Sequence, residues 1–252
     1  MYWFIFCKDE ILLTEAGEIP ESEIPPVELA EWHTLHDLPA IANIPCRAVR
    51  IDAPVLKEGY QMVGLRQSFD LLSSTFYNMA SKAAEILYWD ATTKFCGVCG
   101  APMKLHTDIS KRCVNCGKEV WPSLAVAIIV AVTRNSGKEL LMVQSKNFRG
   151  DYYGLVAGFV ETAETLEECV RREVEEETGI RVDNIRYVAS QSWPYPSGLM
   201  VGFTAEYVSG ELAIQHSELK KGGWFTVDTL PPIPGKVSLA RFLIDEWRNN
   251  VT

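Results

Sequence analysis

Four cysteines in two closely spaced pairs constrain the fold of this 252-residue chain more than any other feature. Cys96 and Cys99 form one C-x-x-C pair, Cys113 and Cys116 form the other, and thirteen residues separate the pairs. Two such turns can wrap four thiolates tetrahedrally around one zinc ion, which leaves no open coordination position. The spacing therefore predicts a structural zinc ribbon with one Zn²⁺ per chain; the alternative is four buried or redox-active thiols.

The remaining cysteines and the overall charge bear on where the chain works and what it binds. Seven cysteines, an odd number, and no secretory signal at the start argue against a disulfide framework, so we expect a cytoplasmic protein. A formal net charge of −9 disfavours a broad electrostatic grip on nucleic acid. The longest apolar run, residues 124–132, is too short to span a bilayer and predicts a buried strand.

Composition and periodicity divide the chain into an N-terminal domain over residues 1–92, the zinc ribbon over 93–121 and a C-terminal domain over 122–252. The first part has strand-like runs, a proline-rich stretch that predicts a loop before a short helix, and a segment with helical spacing. We interpret its His33 and His36 as ordinary surface or core histidines. The last part alternates strands with one strong helix and a terminal helix, so the predicted fold class is mixed α+β.

An acidic segment in the last part has clear helix boundaries. Thr165 with Glu168 three residues later can form a capping box, and Gly179 suits a C-cap. These signals predict a helix from about residue 166 to 178. The positions spaced to face a core are Leu166, Cys169, Val170 and Val174.

Three carboxylates share one face of this predicted helix. Glu173, Glu176 and Glu177 lie at i, i+3 and i+4, where they would repel each other unless a cation lay between them. Oxygen-only ligands favour Mg²⁺ or Mn²⁺, and magnesium completes its shell with substrate phosphates. The alternative is a solvated acidic face; the adjacent Arg172, which can order the cluster, argues against it.

The segment around this helix resembles the Nudix box, G-x5-E-x7-R-E-U-x-E-E-x-G-U with U aliphatic. All nine fixed positions are matched within 23 residues: Gly158, Glu164, Arg172, Glu173, Val174, Glu176, Glu177, Gly179 and Ile180. The resemblance implies a mixed sheet between helices, a C-terminal α/β/α sandwich. It also implies an enzyme that cleaves nucleoside diphosphates linked to a further group.

A second motif begins ten residues beyond the end of the box, with the sequence SQSWPYPSG. In an extended segment Trp193 and Tyr195 point to one side, which could present aromatic faces to a base or pack in the core. The segment resembles the S-Q-P-W-P-F-P-x-S motif of the NADH pyrophosphatase branch of Nudix enzymes. It departs from that motif at Ser192, Tyr195 and Gly198. The same branch has an N-terminal domain, a four-cysteine ribbon and a Nudix domain in this order.

The resemblance implies roles around a catalytic Mg²⁺ or Mn²⁺. Glu173, Glu177 and the backbone carbonyl of Ala157 would bind the ion, and Glu176 would bind it or help to activate the attacking water. Glu218 matches a further metal-binding glutamate of this branch, although by spacing alone it is an ordinary surface carboxylate. The implied catalytic residues are Arg172, Glu173, Glu176 and Glu177.

The resemblance also implies contacts to a dinucleotide. Phe159 would stack on a base, and Trp121 would supply a second ring from the partner subunit, which implies a homodimer. Ala240 would lie close to the substrate, where a larger side chain would clash. Asp108 and Arg66 are further implied contacts, with a solvated surface residue as the alternative. The motif itself contributes Gln191, Ser192, Trp193, Pro194, Tyr195, Pro196, Ser197 and Gly198.

The implied reaction is metal-dependent hydrolysis of the pyrophosphate bond of NAD(H) to AMP and NMN or NMNH. Removal of NAD caps from RNA 5′ ends breaks the same bond, and basic residues in the ribbon could touch RNA. Two alternatives are hydrolysis of ADP-ribose or a dinucleoside polyphosphate, and a non-catalytic regulator that joins a zinc ribbon to a Nudix-like ligand sensor. Loss of box carboxylates would favour the regulator, but all are present.

Overall fold

The computed structural model describes residues 1–147 and 150–251, which form two compact units. Unit 1 consists of Met1–Ser123 together with Pro194–Ser197, and unit 2 holds Leu124–Trp193 and the described chain from Gly198 on. Both units contain strands and helices, which confirms the mixed α+β class. The boundaries of the three predicted domains stay a prediction.

Unit 1 begins with a five-stranded sheet in the order β3-β4-β1-β2-β5. Its first strand pairs parallel to the fourth, and the other neighbours are antiparallel. A long helix follows the sheet in the chain. These elements are β1 (Tyr2–Cys7), β2 (Glu10–Thr14), β3 (His36–Ile41), β4 (Ile44–Arg50), β5 (Tyr60–Gly64) and α1 (Ser74–Thr92).

The apolar character of β1 explains its place in the middle of the sheet. Five of its six residues are buried, and Trp3 and Ile5 pack with Leu12 of β2 and Val49 of β4 in one core. The short helix predicted near residue 30 is wrong. That stretch forms turns, in which the Ala30 amide donates to Nδ1 of His33 at 3.1 Å. So short a segment gains too little helical hydrogen bonding to offset nucleation.

The zinc ribbon lies at the end of the continuous part of unit 1. It is a small antiparallel sheet whose strands are β6 (Met103–Thr107), β7 (Ser110–Cys113) and β8 (Glu119–Val120). Gly100 and Gly117 follow the two cysteine pairs with φ of 74° and 72°, a left-handed conformation that glycine adopts without strain.

Unit 2 is built on a six-stranded mixed sheet. The predicted buried strand is its central element, β9, which pairs antiparallel to β10 and β11 and parallel to β13. The elements of the unit are β9 (Ala125–Arg134), β10 (Glu139–Ser145), β11 (Val156–Phe159), α2 (Leu166–Thr178), β12 (Arg181–Ser192), β13 (Gly198–Ser209), β14 (Leu219–Phe225) and α3 (Leu239–Val251).

Helices cover both faces of this sheet, which confirms the α/β/α sandwich. On one face Cys169, Val170 and Val174 of α2 pack with Ile128 and Val130 of β9. On the other face Leu239, Leu243 and Ile244 of α3 pack with Ile129 and Ala131, the alternate residues of the same strand. Within the described part of the chain, no helix combines the length and the apolar character that crossing a membrane requires.

Candidate active site

The acidic helix α2 forms with the boundaries that its sequence predicts. Thr165 and Glu168 make a reciprocal capping box, and Gly179 ends the helix at φ 71° while its amide donates to the Glu175 carbonyl at 2.8 Å. An added Cβ at Gly179 would lie 2.9 Å from the carbonyl oxygen of Glu211, so this position accepts only glycine without rearrangement. Both ends of α2 are therefore fixed, and so is the direction of its carboxylates.

Arg172 organises the acidic face of α2. Its Nε and Nη2 donate to the two carboxylate oxygens of Glu164 at 2.7 and 2.9 Å, a bidentate pair. Its Nη1 donates to Glu173 at 2.8 Å and to Glu176 at 3.2 Å, and Nη2 also donates to the Phe159 carbonyl at 2.9 Å. The hydrogen bonds from Arg172 hold the pKa of Glu164 at about 2, so this carboxylate stays ionised and fixes the guanidinium.

The glycine at the start of the box makes room for one of these carboxylates. A Cβ built on Gly158 would overlap the Glu173 carboxylate, so any side chain at this position would displace that group. Glu173 therefore packs its carboxylate against the backbone of β11. This contact explains why β11 carries glycine at this position.

Glu177 is the carboxyl group of the site whose ionisation the fold opposes most. Its side chain is 6% exposed, and its Oε2 has no hydrogen-bond partner among the described residues. Burial, followed by the charges of Glu173 and Glu218, raises the pKa of Glu177 to about 8. Burial also raises the pKa of Glu173, against the opposing effect of Arg172. A buried carboxylate without a partner, next to two others, has the chemistry of a divalent-cation ligand.

A cleft of about 550 Å³ in unit 2 collects the predicted catalytic residues. The predicted residues on its walls are Ala157, Phe159, Arg172, Glu173, Glu176, Glu177 and Glu218. The Phe159 ring is 66% exposed and is free to stack on a flat ligand. Glu218 reaches the cleft because its segment leads into β14, where the Glu218 carbonyl accepts a hydrogen bond from the Lys146 amide at 2.8 Å.

The four cysteines form a second, separate ligand set in unit 1. Their Sγ atoms all lie within 4.8 Å of one another, and the Cys96–Cys116 and Cys99–Cys113 separations are 3.6 and 3.5 Å. A tetrahedral zinc site with Zn–S bonds of about 2.3 Å needs sulfur separations of about 3.8 Å. Backbone amides beginning with that of Val98 lower the pKa of Cys96, which favours the thiolate that binds zinc. In the described chain no other set of three or more ligating side chains converges so closely.

The second motif is divided between the two units. Gln191 lies near the end of β12. Its side-chain Nε2 donates to the Val237 carbonyl, and its side-chain Oε1 accepts from the Leu239 backbone amide, both at 2.7 Å. It thereby fixes the start of α3, which carries the buried Ala240. The Trp193 amide donates to the Gly198 carbonyl at 2.8 Å and closes the turn. Ser192 is exposed.

The four residues between Trp193 and Gly198 belong to unit 1. The hydroxyl of Tyr195 lies 2.8 Å from that of Tyr77 on α1, and the Arg66 guanidinium lies over the Tyr195 ring, 5.6 Å from its centre. Burial and the Tyr77 contact raise the pKa of Tyr195. Ser197 donates to the Ser123 carbonyl at 3.1 Å, Pro194 is buried and Pro196 is exposed.

The last two implied contacts lie in or beside the ribbon. Asp108 is exposed in the turn between β6 and β7. Trp121 directly follows β8 and is 56% exposed. A role for either residue in substrate binding stays a prediction.

Comparison with known proteins assigns the chain to a family. Family models match three consecutive stretches: a "NADH pyrophosphatase-like rudimentary NUDIX domain" at residues 1–89, a "NADH pyrophosphatase zinc ribbon domain" at 91–120 and a "NUDIX domain" at 123–245. An "NAD-capped RNA hydrolase NudC" of Deinococcus radiodurans is 37% identical over 249 residues, which cover 97% of this chain and 86% of that protein. This chain belongs to the NADH pyrophosphatase branch of the Nudix family.

Further relatives with the same description extend across other bacteria. The protein of Klebsiella pneumoniae is 35% identical over 97% of this chain and 92% of its own length, and that of Pseudomonas aeruginosa is 39% identical over 85% and 80%. A Nudix hydrolase from Nitrosomonas europaea superposes with a TM-score of 0.51 at 24% identity, covering 60% of this chain and 91% of that one. This last similarity supports the fold alone.

One polar network in this Nudix enzyme was missed by the sequence analysis. Lys111 of the ribbon is buried, and its Nζ donates to the Asp90 carboxylate and carbonyl, both at 2.7 Å, and to the Thr93 carbonyl at 3.0 Å. Nε2 of His36 lies 3.6 Å from the other Asp90 oxygen. Burial alone would raise the pKa of Asp90, but His36 and Lys111 outweigh it and lower the pKa to about 2. The available signal was strand alternation, since Lys111 shares the inward face of β7 with Cys113.

Proposed function

We propose that this protein hydrolyses the pyrophosphate bond of NAD(H), and of NAD-capped RNA 5′ ends, in a reaction that depends on Mg²⁺ or Mn²⁺. The products are NMN or NMNH together with AMP or the 5′-phosphorylated RNA. The observation that carries the proposal is the buried carboxylate of Glu177, whose Oε2 has no hydrogen-bond partner in the described part of the chain, in a cleft that also presents the exposed ring of Phe159. The relatives named as NAD-capped RNA hydrolases support the choice of substrate.

The acidic residues of the cleft would have different roles, metal binding or proton transfer, according to how exposed each side chain is. Glu173 and Glu177, both held inside the cleft, would hold the cation with the Ala157 carbonyl and Glu218. When bound, the ion supplies charge neutralisation for the pyrophosphate oxygens and an acidified water. Glu176 has a 57% exposed side chain, so its carboxylate can take the proton of the attacking water without being buried itself.

Arg172 acts as a positioning residue. Because its bidentate pairing with Glu164 fixes the guanidinium, Arg172 can hold Glu173 and Glu176 at defined distances before substrate arrives. Such preorganisation avoids the cost of gathering like charges during the reaction.

The substrate would be bound by rings and by the second motif. Phe159 would stack on a base, Trp193 and the segment up to Gly198 would line the dinucleotide, and Ala240 would leave room for it. Gln191 and Ser192 flank this segment, and Arg66 and Asp108 are proposed as outer contacts. Each of these assignments rests on the family motif together with the positions given above.

We also propose a cytoplasmic homodimer in which Trp121 of the partner subunit supplies a second ring to the bound dinucleotide. None of the seven cysteines, all of which lie in the described chain, is in a disulfide, which suits a reducing compartment. The large exposed indole of Trp121 is the kind of surface that association buries. Light scattering should give twice the chain mass, and Trp121→Ala should raise KM for NADH without lowering kcat to the same degree.

The deciding experiment is product analysis. Purified protein is incubated with Mg²⁺ or Mn²⁺ and NADH, NAD-capped RNA, ADP-ribose or a dinucleoside polyphosphate, and products are separated by chromatography. We expect AMP and NMNH from NADH and 5′-phosphorylated RNA from capped RNA, with neither formed by Glu177→Gln. Fast cleavage of ADP-ribose with NADH intact would reassign the substrate, and no cleavage of any substrate would favour the regulator.

A further inference from the structure

Unit 1 and unit 2 contain the same arrangement of five strands. In chain order, the strands of the first sheet lie third, fourth, first, second, fifth, and those of unit 2 lie in that same order when the short β11 is left out. In both units the first and fourth strands are parallel and the other neighbouring pairs are antiparallel. A helix follows the fifth strand in each. Each connection between strands of unit 2 therefore has a counterpart in unit 1, in line with the rudimentary NUDIX domain matched at residues 1–89.

Two of these connections carry the catalytic carboxylates of unit 2. The connection from the second to the third strand holds β11 and α2, with Glu173 and Glu177, and the connection from the fourth to the fifth strand holds Glu218. Their counterparts in unit 1 are residues 15–35 and residues 51–59. Residues 15–35, all of them described, form no helix, so unit 1 has no counterpart of the acidic face of α2.

A cavity of about 800 Å³ lies where these two connections of unit 1 meet. Residues 24–28 and 33 line it from the first connection, and residues 51–53 and 55–57 line it from the second. The cavity is therefore the topological counterpart of the catalytic cleft. Its volume lies within the range of about 300 to 1,000 Å³ that is typical of small-molecule sites. The proposed function gives it no role.

One carboxylate of this cavity is held in place by two donors. Oδ2 of Asp52 accepts hydrogen bonds from Trp32 Nε1 at 2.9 Å and from His33 Nε2 at 3.1 Å. Because the Ala30 amide donates to Nδ1 of His33, the proton of the neutral imidazole lies on Nε2. The hydrogen bonds from Trp32 and then His33 lower the pKa of Asp52. Its side chain is 72% exposed, so an oriented, ionised carboxylate stays open to a ligand.

The walls around this carboxylate are mainly apolar. Leu56 and Ile24 line the cavity and are 96% and 75% exposed, and the indole of Trp32 beside them is 74% exposed. Exposed apolar side chains that cluster in this way are surface that a bound ligand covers. The ligand of this cavity therefore has an apolar body.

The charge of the lining determines the polar end of that ligand. Glu28 and Asp52 face one cation, Lys57, so the formal charge is −1. Lys57 is already engaged, since its Nζ donates to the Pro26 carbonyl at 3.0 Å and bridges the two connections. A divalent metal ion needs several converging oxygen ligands, which apolar walls do not supply. An organic cation needs only one carboxylate.

We propose that this cavity of unit 1 binds a small organic amine in its ammonium form. The ammonium donates to Asp52, and the apolar body of the amine covers Leu56 and Ile24. Unit 1 is then a ligand-binding unit that uses the same two connections as the catalytic unit without its metal-binding carboxylates. Binding there is independent of the hydrolysis proposed for unit 2.

The test is isothermal titration calorimetry of the full chain with phenethylammonium and with phenethyl alcohol, a neutral molecule of nearly the same shape. Mg²⁺ is kept at saturation so that the carboxylates of the catalytic cleft are occupied. We expect the ammonium to bind and the alcohol to bind about tenfold more weakly, because the alcohol lacks the charge-assisted hydrogen bond. Equal affinities, or no binding of the ammonium, would overturn the proposal.

Two variants assign the binding to this cavity. Asp52→Asn keeps the shape of the side chain but removes its charge, and it should weaken phenethylammonium binding about tenfold. The matched control is Asp37→Asn, at a 66% exposed aspartate that is hydrogen-bonded to Arg47 outside the cavity and should leave the affinity unchanged. Leu56→Ser, at a side chain too exposed to support the fold, should weaken binding several-fold. Unchanged affinity in Asp52→Asn would overturn the proposal; if that variant has a lowered Tm, Leu56→Ser decides alone.

Two further titrations test other sites and other ligands. Binding that Glu177→Gln removes and Asp52→Asn leaves intact would place the amine in the catalytic cleft and overturn the proposal. A leucine–lysine–leucine tripeptide with blocked ends presents the same ammonium on a peptide. If this tripeptide bound through Asp52 more tightly than phenethylammonium, the cavity would be a peptide-docking groove, and the assignment to a small molecule would be refuted.

Discussion

Replacing Glu177 by glutamine should make the metal-free protein more stable and should sharply lower turnover of the metal-loaded protein. The fold raises the pKa of this carboxyl to about 8 from an ordinary 4.5, mainly by burial. Protonated Glu177 therefore makes its full contribution to the free energy of unfolding below about pH 4.5, and this contribution is lost as the pH rises toward about 8. At pH 7 the unfolded chain ionises Glu177 whereas the fold must protonate it, which costs about 3 kcal/mol.

Glutamine fills the same space without this titration. We expect Glu177→Gln to raise the free energy of unfolding at pH 7 by up to about 3 kcal/mol, on the order of 10 °C in Tm. Turnover should fall about a thousandfold, because loss of a metal ligand removes several kcal/mol of transition-state stabilisation. The control is Glu176→Gln, at a carboxyl whose side chain is 57% exposed, where we expect a stability change below about 0.5 kcal/mol.

The assay is urea unfolding across pH 5 to 8 after Mg²⁺ and Mn²⁺ have been dialysed away and the ribbon zinc retained. Wild-type stability should fall across this range and Glu177→Gln stability should fall less. Adding Mg²⁺ should stabilise the wild type and have little effect on the variant. A variant less stable than the wild type at pH 7 without Mg²⁺ would refute the electrostatic reasoning, and wild-type turnover in the variant would refute the assignment of Glu177 as a ligand.

Three further predictions concern packing and the ribbon. Gly158→Ala should lower kcat about a hundredfold at saturating Mg²⁺, because the added Cβ would overlap the Glu173 carboxylate and displace it; an unchanged kcat would contradict this geometry. Lys111→Met should cost about 2 to 3 kcal/mol in urea unfolding. It should also reduce the loss of stability between about pH 4 and pH 2 that the low pKa of Asp90 predicts, because His36 alone then lowers that pKa. The exposed Lys104→Met should do neither. Removing the zinc should lower the Tm, and an unchanged melting curve after verified zinc loss would contradict a structural zinc site.

Local signals predicted the parts of this structure that depend on neighbours in sequence. The helix Leu166–Thr178, its capping box and its glycine C-cap are confirmed, as is the buried strand β9. The convergence of four thiol groups is confirmed too, because their spacing alone fixes the ribbon turns. In each case the residues that determine the local structure are close to each other in the sequence.

Contacts between distant residues were beyond the sequence signals. His33 pairs with Asp52 at 3.1 Å and His36 lies 3.6 Å from Asp90, whereas the sequence indicated no partner carboxylate for either. Lys111 looks like an exposed ribbon cation in the sequence, yet it is 4% exposed. Such pairs depend on which strands meet, and that follows from the whole topology.

The parallel pairing of β9 with β13 also determines when the active site can form. Ala125 pairs with Gly198, and the pairing runs on to Thr133 with Glu206, so the centre of the sheet closes over a loop of more than seventy residues. The entropy lost in closing so long a loop comes before the stabilising contacts between the two strands, and this slows folding. During synthesis α2 emerges before Met200 of β13 and before Glu218, which line the same cleft, so the cleft is complete only after both have been made. The catalytic pocket is thus a late product of folding. The pKa of Glu177 stays near its ordinary value until most of unit 2 has been made.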